Sequence, residues 1–155
     1  MEEPIVKNLP ALKTVCMAHH GSYDEIGEVY RALHAWAEEK GARPTGKGLT
    51  IFTDPPERFD PSSARFEVCL PVEADVQGDA KASAKELPAC EAAVVSVTGP
   101  YSQIPAHYTE MLAWLDWKGW QVAGAPREVY VKRPAAGETG APNDYLTEIQ
   151  FPIKR

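Results

Sequence analysis

Gly21-Ser22-Tyr23-Asp24-Glu25-Ile26 and Gly99-Pro100-Tyr101-Ser102-Gln103-Ile104 stand 78 positions apart and open the same pattern. Adding 78 also carries Tyr30 to Tyr108, Trp36 to Trp114, Lys40-Gly41 to Lys118-Gly119 and Gly46 to Gly124. On the N-terminal side it carries Leu9-Pro10-Ala11 to Leu87-Pro88-Ala89. Past the next turn the shift grows to 81, as a loop insertion requires, and Glu67-Val68-Cys69-Leu70-Pro71 faces Glu148-Ile149-Gln150-Phe151-Pro152. Trp, Tyr and Pro are infrequent residues, so chance matching in a chain rich in Ala and Gly does not explain their alignment. The chain reads as an internal repeat, with one copy over 9–71 and the other over 87–152.

Each copy reads strand, helix, strand, strand. Leu12 to His20 is a β-branched and apolar run, and Ser22-x-x-Glu25 offers a capping box that satisfies two orphan amides at a helix start. Ile26, Val29, Tyr30, Leu33, Trp36 and Ala37 recur at helical spacing on one face, and Gly41 supplies a left-handed stop. Leu49 to Thr53 and Arg65 to Leu70 are short strands around a loop holding Pro55, Pro56 and Pro61. The second copy repeats this as Ala92 to Thr98, a helix from Gln103 to Lys118, Glu128 to Lys132, and Tyr145 to Phe151, while Gln77 to Ala84 reads as a connector. The expected fold is α+β: one antiparallel sheet, both helices on one face, and a pseudo-twofold axis between the copies.

Alternation along the strands then divides the residues between two faces. Phe66, Val68 and Leu70, with Thr147, Ile149 and Phe151, are expected under the helices. Arg65, Glu67, Cys69, Leu146, Glu148 and Gln150 are expected on the uncovered face, together with Thr50, Phe52, Glu128, Tyr130 and Lys132. Carboxylates and aromatics on one sheet face are the ingredients of a ligand cleft.

At 155 residues the chain is a single domain over 1–155, long enough to bury a core without staples. Sixteen Lys and Arg against 22 Asp and Glu give a net charge of −6, which argues against nucleic acid as a partner. Cys16, Cys69 and Cys90 are an odd set without CxxC spacing, so neither a disulfide framework nor a zinc site is expected, and a reducing cytoplasm is. Met1-Glu2-Glu3-Pro4 opens no signal peptide, and no apolar run is long enough to span a membrane.

These features together resemble the GyrI-like family, the effector-binding domain also found at the C-terminus of multidrug-responsive bacterial transcription regulators of the AraC and MerR types. The resemblance rests on Leu9-Pro10-Ala11 leading into a strand, on Gly21-x-Tyr23 and Gly99-x-Tyr101 before each helix, and on Tyr145-x-x-Glu148-Ile149-x-x-Pro152. With nothing ahead of Met1 and few residues after Pro152, no helix-turn-helix fits, and the expectation is a sensor domain standing alone. In that family the closing Glu of the second repeat is associated with lipophilic cations, and its place in this sequence is Glu148. A carboxylate on a partly buried face is unfavourable unless paired. Tyr130, Phe52 and Tyr101 would add cation–π attraction of about 0.5–2 kcal/mol each. Glu67 has Arg65 two positions away on its own face, whereas the matching neighbour of Glu148 is Leu146, so Glu148 is the carboxylate expected to want a cation. The alternative for Glu148 is a surface position on an open sheet, or a pairing with Arg65 or Lys132.

Three functions follow from this resemblance. The first is a protein that binds amphipathic aromatic compounds, cations above all, in a cleft between the repeats, at Glu148, Tyr130, Phe52, Tyr101, Glu67 and Leu146 and without a cofactor. The second is a hydrolase opening cyclopropane-bearing genotoxic compounds, with Glu148 as acid/base helped by Tyr101 or Tyr130. The third is an inhibitor of DNA gyrase, or a partner of a separate regulator, acting by protein–protein contact. His19 and His20 point opposite ways on a strand, and His34 and His107 stand alone on helices, so no metal site is expected. Nothing around His34 or His107 commends the haem of the related SOUL-type group. Trp36 and Trp114 read as core, Trp117 or Trp120 as the rim of a cleft or dimer surface, and Gly46-x-Gly48 as a turn.

Overall fold

Ser22 turns the chain out of its first long strand into a short 3-10 turn, Tyr23–Glu25, and from there into helix α1, Ile26–Glu39. The Glu25 carboxylate reaches back to accept the Ser22 N–H at 3.3 Å, as the expected capping box requires. Helix α2 spans Ile104–Lys118. Both helices stop where the sequence predicts: Gly41 (φ 72°) and Gly119 (φ 80°) adopt the left-handed conformation that only glycine enters freely. The strands are β1 (Ile5–Leu9), β2 (Leu12–Gly21), β3 (Leu49–Phe52), β4 (Ala64–Pro71), β5 (Ser83–Leu87), β6 (Cys90–Thr98), β7 (Gln121–Val122), β8 (Arg127–Lys132) and β9 (Leu146–Lys154). This computed structural model describes residues 3–54, 60, 62–73, 76–99, 104–132 and 146–155.

The strands form one antiparallel sheet in the order β1-β6-β9-β8-β3-β4-β2-β5, with β7 added to β9. The fold is α+β, as expected. One face carries both helices. Leu33 and Trp36 of α1 and Met111 and Leu115 of α2 bury into a single apolar cluster with Phe66, Val68, Leu70, Ile149 and Phe151, the set that alternation assigns to the covered side. Burying each such side chain contributes roughly 1.5–3 kcal/mol, so this layer dominates stability.

The face of β3 and β8 differs from expectation. Residues directly opposed across an antiparallel ladder share a face, and Thr50 opposes Val68, Phe52 opposes Phe66, Glu128 opposes Ile149 and Tyr130 opposes Thr147. Thr50, Phe52, Glu128 and Tyr130 therefore point under the helices, not away from them. The phase of a strand against its neighbour is set by the loop that delivers it, and the polar character of Glu128 suggests the wrong side. The connector reading of Gln77 to Ala84 is also corrected at its end, where β5 begins at Ser83 and pairs with β2.

The other face is partly covered. Cys16, Leu49, Ile51, Cys69 and Leu87 form a second, smaller apolar cluster there. Cys16 and Cys69 oppose each other across β2 and β4 as free thiols, their sulfurs 2.7 Å apart.

Candidate functional site

Glu128 lies in β8 near the middle of the sheet and is 0% exposed beneath both helices. A carboxylate in that position must be satisfied by donors. Tyr23, in the turn ahead of α1, donates its hydroxyl to Oε1 at 2.6 Å, and Tyr130 donates to the same oxygen at 3.3 Å. Tyr108, from the first half of α2, donates to Oε2. The Tyr130 hydroxyl also meets Thr50 Oγ1 at 2.7 Å, which ties the network to β3. Glu128 makes no ion pair with another described residue.

Burial pushes the Glu128 carboxyl up to about 7, against the three hydroxyls, which pull it down. The Tyr23 and Tyr108 hydroxyls are raised well above the usual tyrosine range by burial and then by the Glu128 charge, so both remain protonated donors. Near neutral pH the carboxyl is poised between its two states. It can hold a proton, release it, or take a cation in its place.

Aromatic rings enclose the carboxylate. Tyr23 stacks on Phe52 with centroids 6.0 Å apart and planes 14° from parallel. Phe52 meets the edge of Tyr108 at 6.1 Å, and Tyr108 meets Phe151 at 5.7 Å. Each ring face carries negative charge density, suited to a delocalised cation.

The residues singled out from sequence are divided between the two faces. Tyr130 and Phe52 belong to the Glu128 cage. Glu148, half-buried on the face away from the helices, accepts the Gln150 side-chain amide at 2.8 Å. Glu67 shares that face and pairs with Lys85 at 2.6 Å rather than with Arg65. Leu146 begins β9 on the same side, half-buried. Tyr101 and Tyr145 lie outside the described residues. Sequence reading passed over Glu128, Tyr23, Tyr108 and Thr50 as site residues. The available signal was Glu128-Val129-Tyr130, a carboxylate and a phenol on one strand face, together with the tyrosine of the Gly21-x-Tyr23 motif.

The architecture is a curled antiparallel sheet with two helices over a buried, tyrosine-bound carboxylate. The chain matches the model of the GyrI-like small molecule binding domain over residues 2–154, and it belongs to that family. Comparison with curated proteins finds no match. Among solved structures, the EcmrR C-terminal domain superposes with a TM-score of 0.89 at 18% identity, covering 99% of this chain and 98% of that one. In the EcmrR–DNA complex the same TM-score and identity hold, but the match covers only 57% of the EcmrR chain. SAV2435 bound to tetraphenylphosphonium gives 0.64 at 14% identity, covering 99% of this chain and 94% of that one. A hydrolase encoded by lin2189 from Listeria innocua gives 0.68 at 12%, covering 98% and 92%. At these identities the likeness is one of fold. Among the described residues no helix is long and apolar enough to cross a membrane.

Proposed function

We propose that the domain binds amphipathic aromatic cations at Glu128, under the helices and where the two sequence repeats meet. The observation that carries this reading is a fully buried carboxylate that three tyrosine hydroxyls satisfy and no described cation neutralises. An aromatic cation that displaces tyrosine rings from the cage brings the charge that Glu128 lacks and apolar surface to replace theirs. The tetraphenylphosphonium bound to SAV2435 is a ligand of this chemistry. The duplication read from sequence places the site at a junction: Tyr23 and Phe52 come from the first repeat, Tyr108, Glu128 and Tyr130 from the second. The strand order supports the duplication, since β3 and β8 are central and equivalent strands follow at equal steps outward on either side.

Binding of a cation favours the ionised carboxylate, so affinity should rise with pH through about 7 and level off above it, with a proton released on binding below that point. Titration with tetraphenylphosphonium at pH 6 and pH 8 tests this. Glu128→Gln should weaken binding at pH 8 by roughly 1–3 kcal/mol, the scale of a charged partner lost from a buried site. Glu148→Gln should leave it unchanged. A loss confined to Glu148→Gln would return the role to the outer face.

A second reading is supported by the carboxyl raised to about 7 beside tyrosine hydroxyls, a pairing suited to general acid/base chemistry. In that case Glu128 activates water for opening an electrophilic ring such as a cyclopropane, and product formation that Glu128→Gln abolishes is the check.

A further inference from the structure

Arg127 precedes Glu128 on β8, so its side chain leaves the sheet on the face turned away from the helices. It is 6% exposed, and it makes no hydrogen bond or ion pair through its side chain with another described residue. A guanidinium brings five N–H donors, and none of the Arg127 nitrogens is among the fully enclosed, unpartnered atoms of the described residues, so water still meets them and an acceptor of matching shape would take that water's place. Glu148, the carboxylate nearby on β9, is engaged by the Gln150 amide instead. Arg127 lines a cavity of about 280 Å³ whose walls are chiefly apolar, formed by Leu12, Leu49, Pro71 and Val129. Exposed Lys47 adds a second positive charge to the lining, and no carboxylate among the described residues lines it.

We propose that this cavity is a second ligand site, for a small organic carboxylate on an apolar body. The carboxylate takes two parallel N–H donors of Arg127, the bidentate geometry that guanidinium favours. The apolar body lies along Leu12, Leu49 and Val129. The two sites sit on opposite faces of one strand and carry opposite charge: Glu128 on the helix side selects cations, Arg127 on the other selects anions.

Gly46 gives access to the test without touching Arg127. It lines the cavity, and a Cβ built there meets only Pro71 carbons at 3.8 and 3.9 Å, so Gly46→Leu fills the cavity from its wall at ordinary van der Waals contact. Isothermal titration with sodium octanoate, and with octanol as its uncharged counterpart, is run on the full chain and on Arg127→Met, Gly46→Leu and Glu128→Gln. Saturable octanoate binding is expected, at least about tenfold tighter than octanol, reduced about tenfold or more in Arg127→Met and Gly46→Leu, and unchanged in Glu128→Gln. If Arg127→Met does not fold, Gly46→Leu and the octanoate-induced shifts of the Leu12, Leu49 and Val129 methyl resonances decide. The proposal is overturned if octanoate does not saturate, if octanol binds equally well, if Gly46→Leu leaves octanoate affinity intact, or if Glu128→Gln removes it.

Discussion

Glu128 and Glu148 lie on adjacent strands, one register step from each other, and they lead different lives. Glu128 faces the helices, is fully buried and accepts three tyrosine hydroxyls; Glu148 faces the other way, is half-buried and accepts one amide. Residue type is the same in both. Strand phase alone decides which carboxylate is taken out of water, and so which one carries the cost of burial.

The largest test of this difference is the pH dependence of stability. Glu128 holds its proton more tightly folded than unfolded, with the folded value about 7 against an ordinary 4.5. Its relative stabilisation is therefore fully present below the unfolded value and is lost as pH rises through about 7. The expected loss is on the order of 3 kcal/mol, measured by urea unfolding across pH 5 to 8. Glu128→Gln should flatten the profile over that range. An identical slope in wild type and Glu128→Gln would show that Glu128 does not titrate in this window.

A smaller effect sharpens the comparison within the cage. Tyr108→Phe removes a close donor from Glu128 and should destabilise the protein at pH 8 by roughly 1.5–3 kcal/mol while raising the carboxyl further. Tyr130→Phe removes the longer contact, 3.3 Å, and should do less of both. Carboxyl carbon titration by NMR follows Glu128 directly, and equal shifts in the two variants would mean that the hydroxyls do not act by distance. The smallest effect belongs to the outer face, where Lys85→Met breaks the partly exposed pair with Glu67 and should cost less than about 1 kcal/mol in thermal or urea unfolding.

Much of the fold was legible because it rests on local signals. The stops at Gly41 and Gly119, the apolar stripe of α1 and the alternation of β4 and β9 all follow from residues within one element. The site was less legible, because Glu128 gathers Tyr23, Tyr108 and Tyr130 from two helical segments and its own strand, and no spacing encodes that meeting. Polarity also misleads here: a lone Glu in a strand reads as outward unless its buried donors are already known. The edge strands were hidden for a different reason. Ser83–Leu87 is mostly exposed and polar, and β1 is largely exposed as well, so both are strands by pairing rather than by burial. The charges of Lys7, Lys85 and Glu86 there suit edges that must not recruit further strands.

The sheet order has a consequence for how the chain acquires its shape. β1 precedes β2 in sequence but pairs with β6, with Ile5 opposite Val94, while β5 precedes β6 but pairs with β2, with Leu12 opposite Leu87. Each half lends its leading strand to the other. Such distant pairings defer the reward for closing the chain, so folding should be slow relative to the size of the domain. During synthesis the outer edge of β2 stays open until β5 is made, and β1 has no neighbour until β6 follows. A first half released early would carry both raw edges into solution, where the nearest complement is the same half of another molecule.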